Sequence, residues 1–178
     1  NRWKVKEYKM AIAADKLRKL IQEQVDKNIE RLEFEVDCIV KDLRRGKPSG
    51  FNVKKVTKAI ADAKTIASKI EKNIETIKKI RKALEKAQKA SEASRKASIV
   101  SAAAPGFNGA AAVGIALEFV ISNLKLEVKD LKSVTLVAPV IVTTYKTFLS
   151  DSAARIAGAI AERELKDSVS QDRTNMLS

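Results

Sequence analysis

The sequence predicts an all-α protein: an elongated helical bundle in which a long antiparallel helical hairpin packs with a shorter, apolar helical C-terminal half. Three observations predict it. Residues 3–45 contain neither Gly nor Pro. Apolar residues recur at steps of three and four along the first two long segments, the spacing of one helical face. Acid-before-lysine pairs at i,i+4, the favourable order on a helix, accompany both stripes.

The first helix carries its stripe on Leu17, Ile21, Val25, Ile29, Leu32, Val36, Ile39 and Leu43. The mean step is about 3.7 residues, nearer to a straight helix than to a left-handed supercoil. Asp15/Lys19, Glu23/Lys27 and Asp37/Lys41 are its expected charge pairs. Cys38 is the single cysteine, so no intrachain disulfide exists, and we expect it to be a small apolar filler. Gly46, Pro48 and Gly50 then stop the helix.

Asn52 is a good N-cap for a second helix. Its stripe runs Val53, Val56, Ile60, Ala63, Ala67, Ile70, Ile74 and Ile77, alternating three and four, which is a heptad seam of about 3.5 residues. Ile80, Leu84 and Ala87 extend it, and the pairs Glu75/Lys79, Glu85/Lys89 and Glu92/Lys96 carry the helix to about residue 96. At 1.5 Å per residue each helix would span roughly 65 Å. Two such helices joined by a short turn should fold back on each other, with Ala63 and Ala67 permitting close approach. The seam is thin. A third helix or another subunit must cover it, so a homo-oligomer is expected.

The second half changes character. Ala97 to Leu117 is 21 residues without a charge, broken in the middle by Pro105, Gly106 and Gly109. A membrane-spanning helix needs about 20 continuous apolar residues, so this stretch reads as a turn between two small-residue helix ends. Asn108 caps the second, which carries Val113, Leu117, Val120, Ile121, Leu124, Val128 and Leu131 to about Lys132. Ser133 to Tyr145 is a second uncharged stretch, β-branched and containing Pro139. Local propensity favours a strand, but a lone strand has no partner, so we expect a buried helix kinked near Pro139. Ser150-Asp151-Ser152 reads as the cap of a last helix from Ala153 to about Lys166. Its Ala154/Gly158 and Ala157/Ala161 spacings permit close helix contact. The organisation expected is a basic long-helix hairpin (1–96), a neutral apolar helical region (97–167) and a polar, frayed tail (168–178), in one structural domain. The first residue is Asn1 rather than Met, which leads us to expect a processed product or a fragment.

Charge is segregated. The net charge is +13. Residues 1–96 hold 27 Lys+Arg against 14 Asp+Glu, whereas residues 97–178 hold 8 of each. The basic half points to an anionic partner, either an anionic membrane surface or nucleic acid bound non-specifically; a merely solvated helix face is the plainer alternative. Lysines outnumber arginines 25 to 10 and aromatics are 4% of the chain, which argues against base readout and base stacking.

The absences exclude much chemistry. With no histidine, Ser–His–Asp and Cys–His catalysis and histidine metal ligation are ruled out. One cysteine excludes a cysteine zinc site. Neither phosphate-binding glycine loop is present. Glu30, Glu33 and Asp37 share a helix face, with Glu35 beside them, and could attract a hard cation, but a face balanced by nearby lysines is the better reading. We therefore expect no enzyme, no cofactor and no metal site.

The best reading is a non-enzymatic, membrane-active helical protein, pore-forming or membrane-inserting in the manner of a toxin or effector, because it alone uses both the charge segregation and the uncharged stretches. Basic amphipathic helices bind anionic lipid at about 1 kcal/mol per well-placed Lys or Arg. Lys54, Lys55, Lys58, Lys78, Lys79 and Lys82 would meet the anionic surface; Phe107, Val137, Pro139 and Val140 would insert. Such a chain is compatible with a secreted, membrane-associated location. The layout, basic helices followed by two uncharged stretches around the helix at 113–131, is similar to that of channel-forming bacteriocins and α-helical pore-forming toxins, an architectural likeness carried by no motif. Two alternatives stand beside it: a filament or virion coat subunit that packs phosphate through basic helices, and a coiled-coil stalk or adaptor.

Overall fold

The computed structural model describes the backbone of residues 2–103, 106 and 128–177, and the side chains of 18–103, 106, 131–132 and 134–177. The described residues form four α-helices and no strand: α1 (Arg2–Arg45), α2 (Val53–Lys86), α3 (Glu92–Ala102) and α4 (Val128–Leu177). The chain is an all-α helical bundle. It divides into two compact units. The first gathers α1 as far as Asp26, α2 from Thr65, α3, and α4 as far as Tyr145; the second gathers the remainder of α1, the turn, the start of α2 and the rest of α4.

The α1–α2 turn follows from its residues. Gly46 adopts φ +70°, the left-handed conformation that only glycine takes at little cost. Its N–H donates to the Leu43 carbonyl at 3.2 Å and the Lys47 N–H donates to the Asp42 carbonyl at 3.0 Å. This is a Schellman cap, which satisfies carbonyls at the end of α1. The Gly50 N–H then donates to Asp42 Oδ2 at 3.4 Å. As predicted, Asn52 caps α2: its Oδ1 accepts from the Lys55 N–H at 3.1 Å.

Most of both predicted stripes is buried; Ile29, Leu43 and Val53 are half-buried, and Leu17 lies outside the residues whose side chains are described. In α1, Ile21, Val25, Leu32, Val36 and Ile39 lie in the core, joined by Val40. In α2 the seam from Val56 through Ile60, Ala63, Ala67, Ile70, Ile74, Ile77, Ile80 and Leu84 to Ala87 is buried throughout. Each fully buried isoleucine contributes about 1.5–3 kcal/mol by transfer out of water. Cys38 is half-buried rather than enclosed, since it lies beside the stripe and not on it.

α2 stops earlier than its charge pattern suggested. It ends at Lys86; Ala87 to Ala90 form turns, and Ser91 caps a separate helix, its hydroxyl accepting from the Ser94 N–H at 3.3 Å. The predicted lysine pairs are also re-partnered. Glu75 meets Lys78 at 3.1 Å and Glu85 meets Arg81 at 3.2 Å. Arg81 is additionally fixed by Thr135, so its guanidinium is already placed for Glu85.

α4 is the larger departure from expectation. The predicted break at Ser150–Ser152 does not occur, and one helix runs through Pro139, through the serines and through the polar tail to Leu177. A single seam explains it: Leu131, Val134, Ala138, Ile141, Tyr145, Leu149, Ser152, Ile156 and Ala159 are all buried. Packing along that seam outweighs β-branched propensity and the cap-forming tendency of Ser152, which sits in the core instead of starting a helix. The stretch is also less buried than predicted, because Leu136 and Val140 fall on the opposite side of α4 from the seam, Val137 lies on its flank, and all three are exposed. The predicted helix around 113–131 lies outside the described residues up to 127.

Candidate functional site

In the first unit, the junction of α2 and α4 is built around Arg81. Its Nη1 donates to Thr135 Oγ1 at 2.9 Å while its Nε donates to Glu85 Oε1 at 3.2 Å. The Thr135 hydroxyl in turn donates to the Lys132 carbonyl at 3.0 Å. Thr135 is buried and its hydroxyl is satisfied on both sides, so the two helices are pinned at that level.

One residue beyond this bond on each helix, Lys82 and Leu136 face solvent. Lys79 is exposed, and Lys78 is half-buried with its ammonium held by Glu75. On α4, Leu136 is 60% exposed, Val140 64% and Val137 37%. Spaced i, i+1 and i+4, they share one outward face, with Thr143 and Thr144 exposed beyond them. No charge interrupts the sequence from Ser133 to Tyr145. Pro139 is half-buried at the rim. Three large aliphatic side chains together on a surface are a feature that isolated exposed residues are not. Sequence reasoning singled out Val137, Pro139 and Val140 but missed Leu136 and the Arg81–Thr135 contact, for which spacing along one helix gives no signal.

The other lysine triplet belongs to the second unit. Lys54, Lys55 and Lys58 are exposed on the first turns of α2, and no acidic residue stands in its first turn. The structure thus places the six predicted lysines in two groups of three, one in each unit. Phe107 lies outside the described residues.

The remaining features carry less chemistry. A hollow of about 650 Å³ between the end of α2 and α3 is lined mainly by alanine, with Lys86, Ser98 and Ser101 as its polar groups. Of the acidic residues on α1, Asp37 is paired with Arg155 on α4 at 2.7 Å, rather than with a lysine of its own helix. Among the described residues no three acidic, cysteine or histidine side chains gather as a metal site would require. None of the described helices is long and apolar enough to cross a membrane. Compared with known protein families, curated proteins and solved structures, the chain matches none.

Proposed function

We propose that this chain is a non-enzymatic protein that acts at anionic membrane surfaces, docking through its lysine-rich helices and placing the outward face of α4 in the lipid interface. The observation that carries this reading is that the first unit leaves three aliphatic side chains, Leu136, Val137 and Val140, exposed on one helix, α4, while Lys79 and Lys82 are exposed on another, α2. Aliphatic side chains left in water gain free energy by entering the acyl boundary, at about 25 cal/mol per Å², and ammonium groups of the same unit are attracted to headgroup phosphates. The aliphatic face is too short to span a bilayer, so the mode of contact is interfacial; insertion or pore formation would be a later step that recruits the uncharged 97–117 stretch.

Co-sedimentation with vesicles tests it. Binding to vesicles of phosphatidylcholine and phosphatidylglycerol, weakened by salt and absent with phosphatidylcholine alone, is the result expected. Dye leakage from the bound vesicles would add the pore-forming step. The alternatives predict different outcomes in the same experiment: a nucleic-acid-packing subunit is stripped from vesicles by duplex DNA, and a stalk or adaptor ignores both.

A further inference from the structure

The hairpin turn of the second unit concentrates cations in a way that a solvated surface does not need. From Leu43 to Ala61 the chain has six Lys or Arg and no Asp or Glu. One of the six, Arg44, is engaged by Glu162 at 3.3 Å. The other five, Arg45, Lys47, Lys54, Lys55 and Lys58, are exposed. None of these five has an acidic partner among the described residues. The nearest preceding acid, Asp42, is half-buried and accepts from the Gly50 N–H.

The turn around which they stand is fixed. The Schellman cap at Gly46, the Asp42–Gly50 bond and the Asn52 cap hold the backbone from Asp42 to Lys55 at both ends. Phe51 in the same turn packs edge-on against Phe34 of α1 with ring centroids 5.9 Å apart. Five exposed cations, on the end of α1, in the turn and on the first turns of α2, fall within 14 residues of chain with no acid among them, and their mutual repulsion disfavours the fold.

The kind of lipid follows from that cost. Against a fluid bilayer of singly charged lipids, cations spread along the whole length of the helices bind as well as cations gathered around one turn. Clustering is repaid when a single ligand carries several charges, because one headgroup then neutralises several cations without gathering several lipids beneath the protein. We infer that the α1–α2 turn, through Arg45, Lys47, Lys54, Lys55 and Lys58, is a docking surface for lipid headgroups bearing two or more phosphates. The inference rests on the membrane reading above and names the lipid that directs it.

The test uses the full chain and two vesicle preparations in phosphatidylcholine, one containing a bisphosphorylated inositol lipid and the other phosphatidylserine, adjusted to equal surface charge. Binding at least tenfold tighter to the bisphosphorylated vesicles is expected. A variant R45Q/K47Q/K54Q/K55Q/K58Q, first shown by circular dichroism to keep its helices, should bind both vesicles equally. The variant K78Q/K79Q/K82Q should bind more weakly to both while keeping the preference. Equal wild-type binding to the two vesicles, or a preference that survives the five-site variant, overturns the inference and leaves the membrane reading standing. Binding to neither overturns both, and binding that 20-base-pair DNA displaces at equal phosphate concentration from either vesicle replaces the lipid with nucleic acid.

Discussion

Arg155 of α4 meets Asp37 of α1 at 2.7 Å, and one heptad further along each helix Arg44 meets Glu162 at 3.3 Å with the same sequence separation of 118 residues. Two contacts with one offset mean that, in the second unit, α4 runs parallel to α1. Lys166 completes the set by donating to the Arg44 carbonyl at 3.3 Å, a cation placed where the end of α1 is negative. These charges mark the register, but the force that sets it is the seam beneath. Both pairs are about half exposed, so each is worth about 0–1 kcal/mol. Arg155→Ala should therefore lower stability by less than about 1 kcal/mol, whereas Leu149→Ala, in the core, should cost about 2–5 kcal/mol. Urea denaturation of the two variants checks the ordering, and a larger loss from Arg155→Ala would reverse it.

Gly46 is required by its φ of +70°, which strains any other residue; a methyl group there would only displace the flexible end of Arg163, which can give way at little cost. Gly46→Ala should cost about 1–2 kcal/mol. Adding Arg163→Ala should return little of it, because the backbone strain remains. Gly50, with open space around it and no positive φ, should tolerate alanine with little change in melting temperature.

The Arg81–Thr135 bond should behave as a coupled pair. Thr135→Val removes a buried acceptor from a charged donor, and Arg81→Met removes the donor; each should cost about 1–3 kcal/mol. A double-mutant cycle should give a coupling of about 0.5–3 kcal/mol. Strict additivity would show that the bond does not pin α2 to α4.

Pro139 carries no N–H to donate to the Thr135 carbonyl one turn before it, and an interior proline costs a helix about 3 kcal/mol. Pro139→Ala should raise the unfolding free energy by about 1–3 kcal/mol. Calorimetry showing no gain would mean that the surrounding packing already absorbs the cost.

The hairpin was legible because its apolar steps of three and four are uninterrupted from Leu17 to Leu43 and from Val53 to Ala87, and because Gly46 and Asn52 punctuate them. The end of α2 at Lys86 was not, because Ala87-Gln88-Lys89-Ala90 contains no Gly or Pro and the pairs Glu85/Lys89 and Glu92/Lys96 run across it; the Ser91 cap emerges only in the structure. α4 was divided wrongly for a different reason. Valines, threonines, Pro139 and Ser152 carry local preferences against helix, and only the seam running through Ala138, Tyr145, Leu149 and Ser152 shows that tertiary packing outweighs them. The site was legible in part: Val137 and Val140 were singled out for being uncharged, while Leu136 required knowledge of which side of α4 the core occupies. Asp37 was assigned to Lys41 within its own helix, and a partner 118 residues away cannot be read from spacing alone.

The outward face of α4 is where the account is tested most directly. Leu136→Asp/Val140→Asp places two carboxylates among the exposed aliphatic side chains without touching the buried seam, so helicity and melting temperature should stay close to those of the parent chain. Co-sedimentation of this variant with phosphatidylglycerol vesicles should fall at least tenfold below the parent at 0.1 M salt, since each charge must stay out of the acyl boundary. Undiminished binding by a variant that has kept its fold would contradict the account, and would leave the lysines alone, or no membrane at all, as the basis of what this surface does.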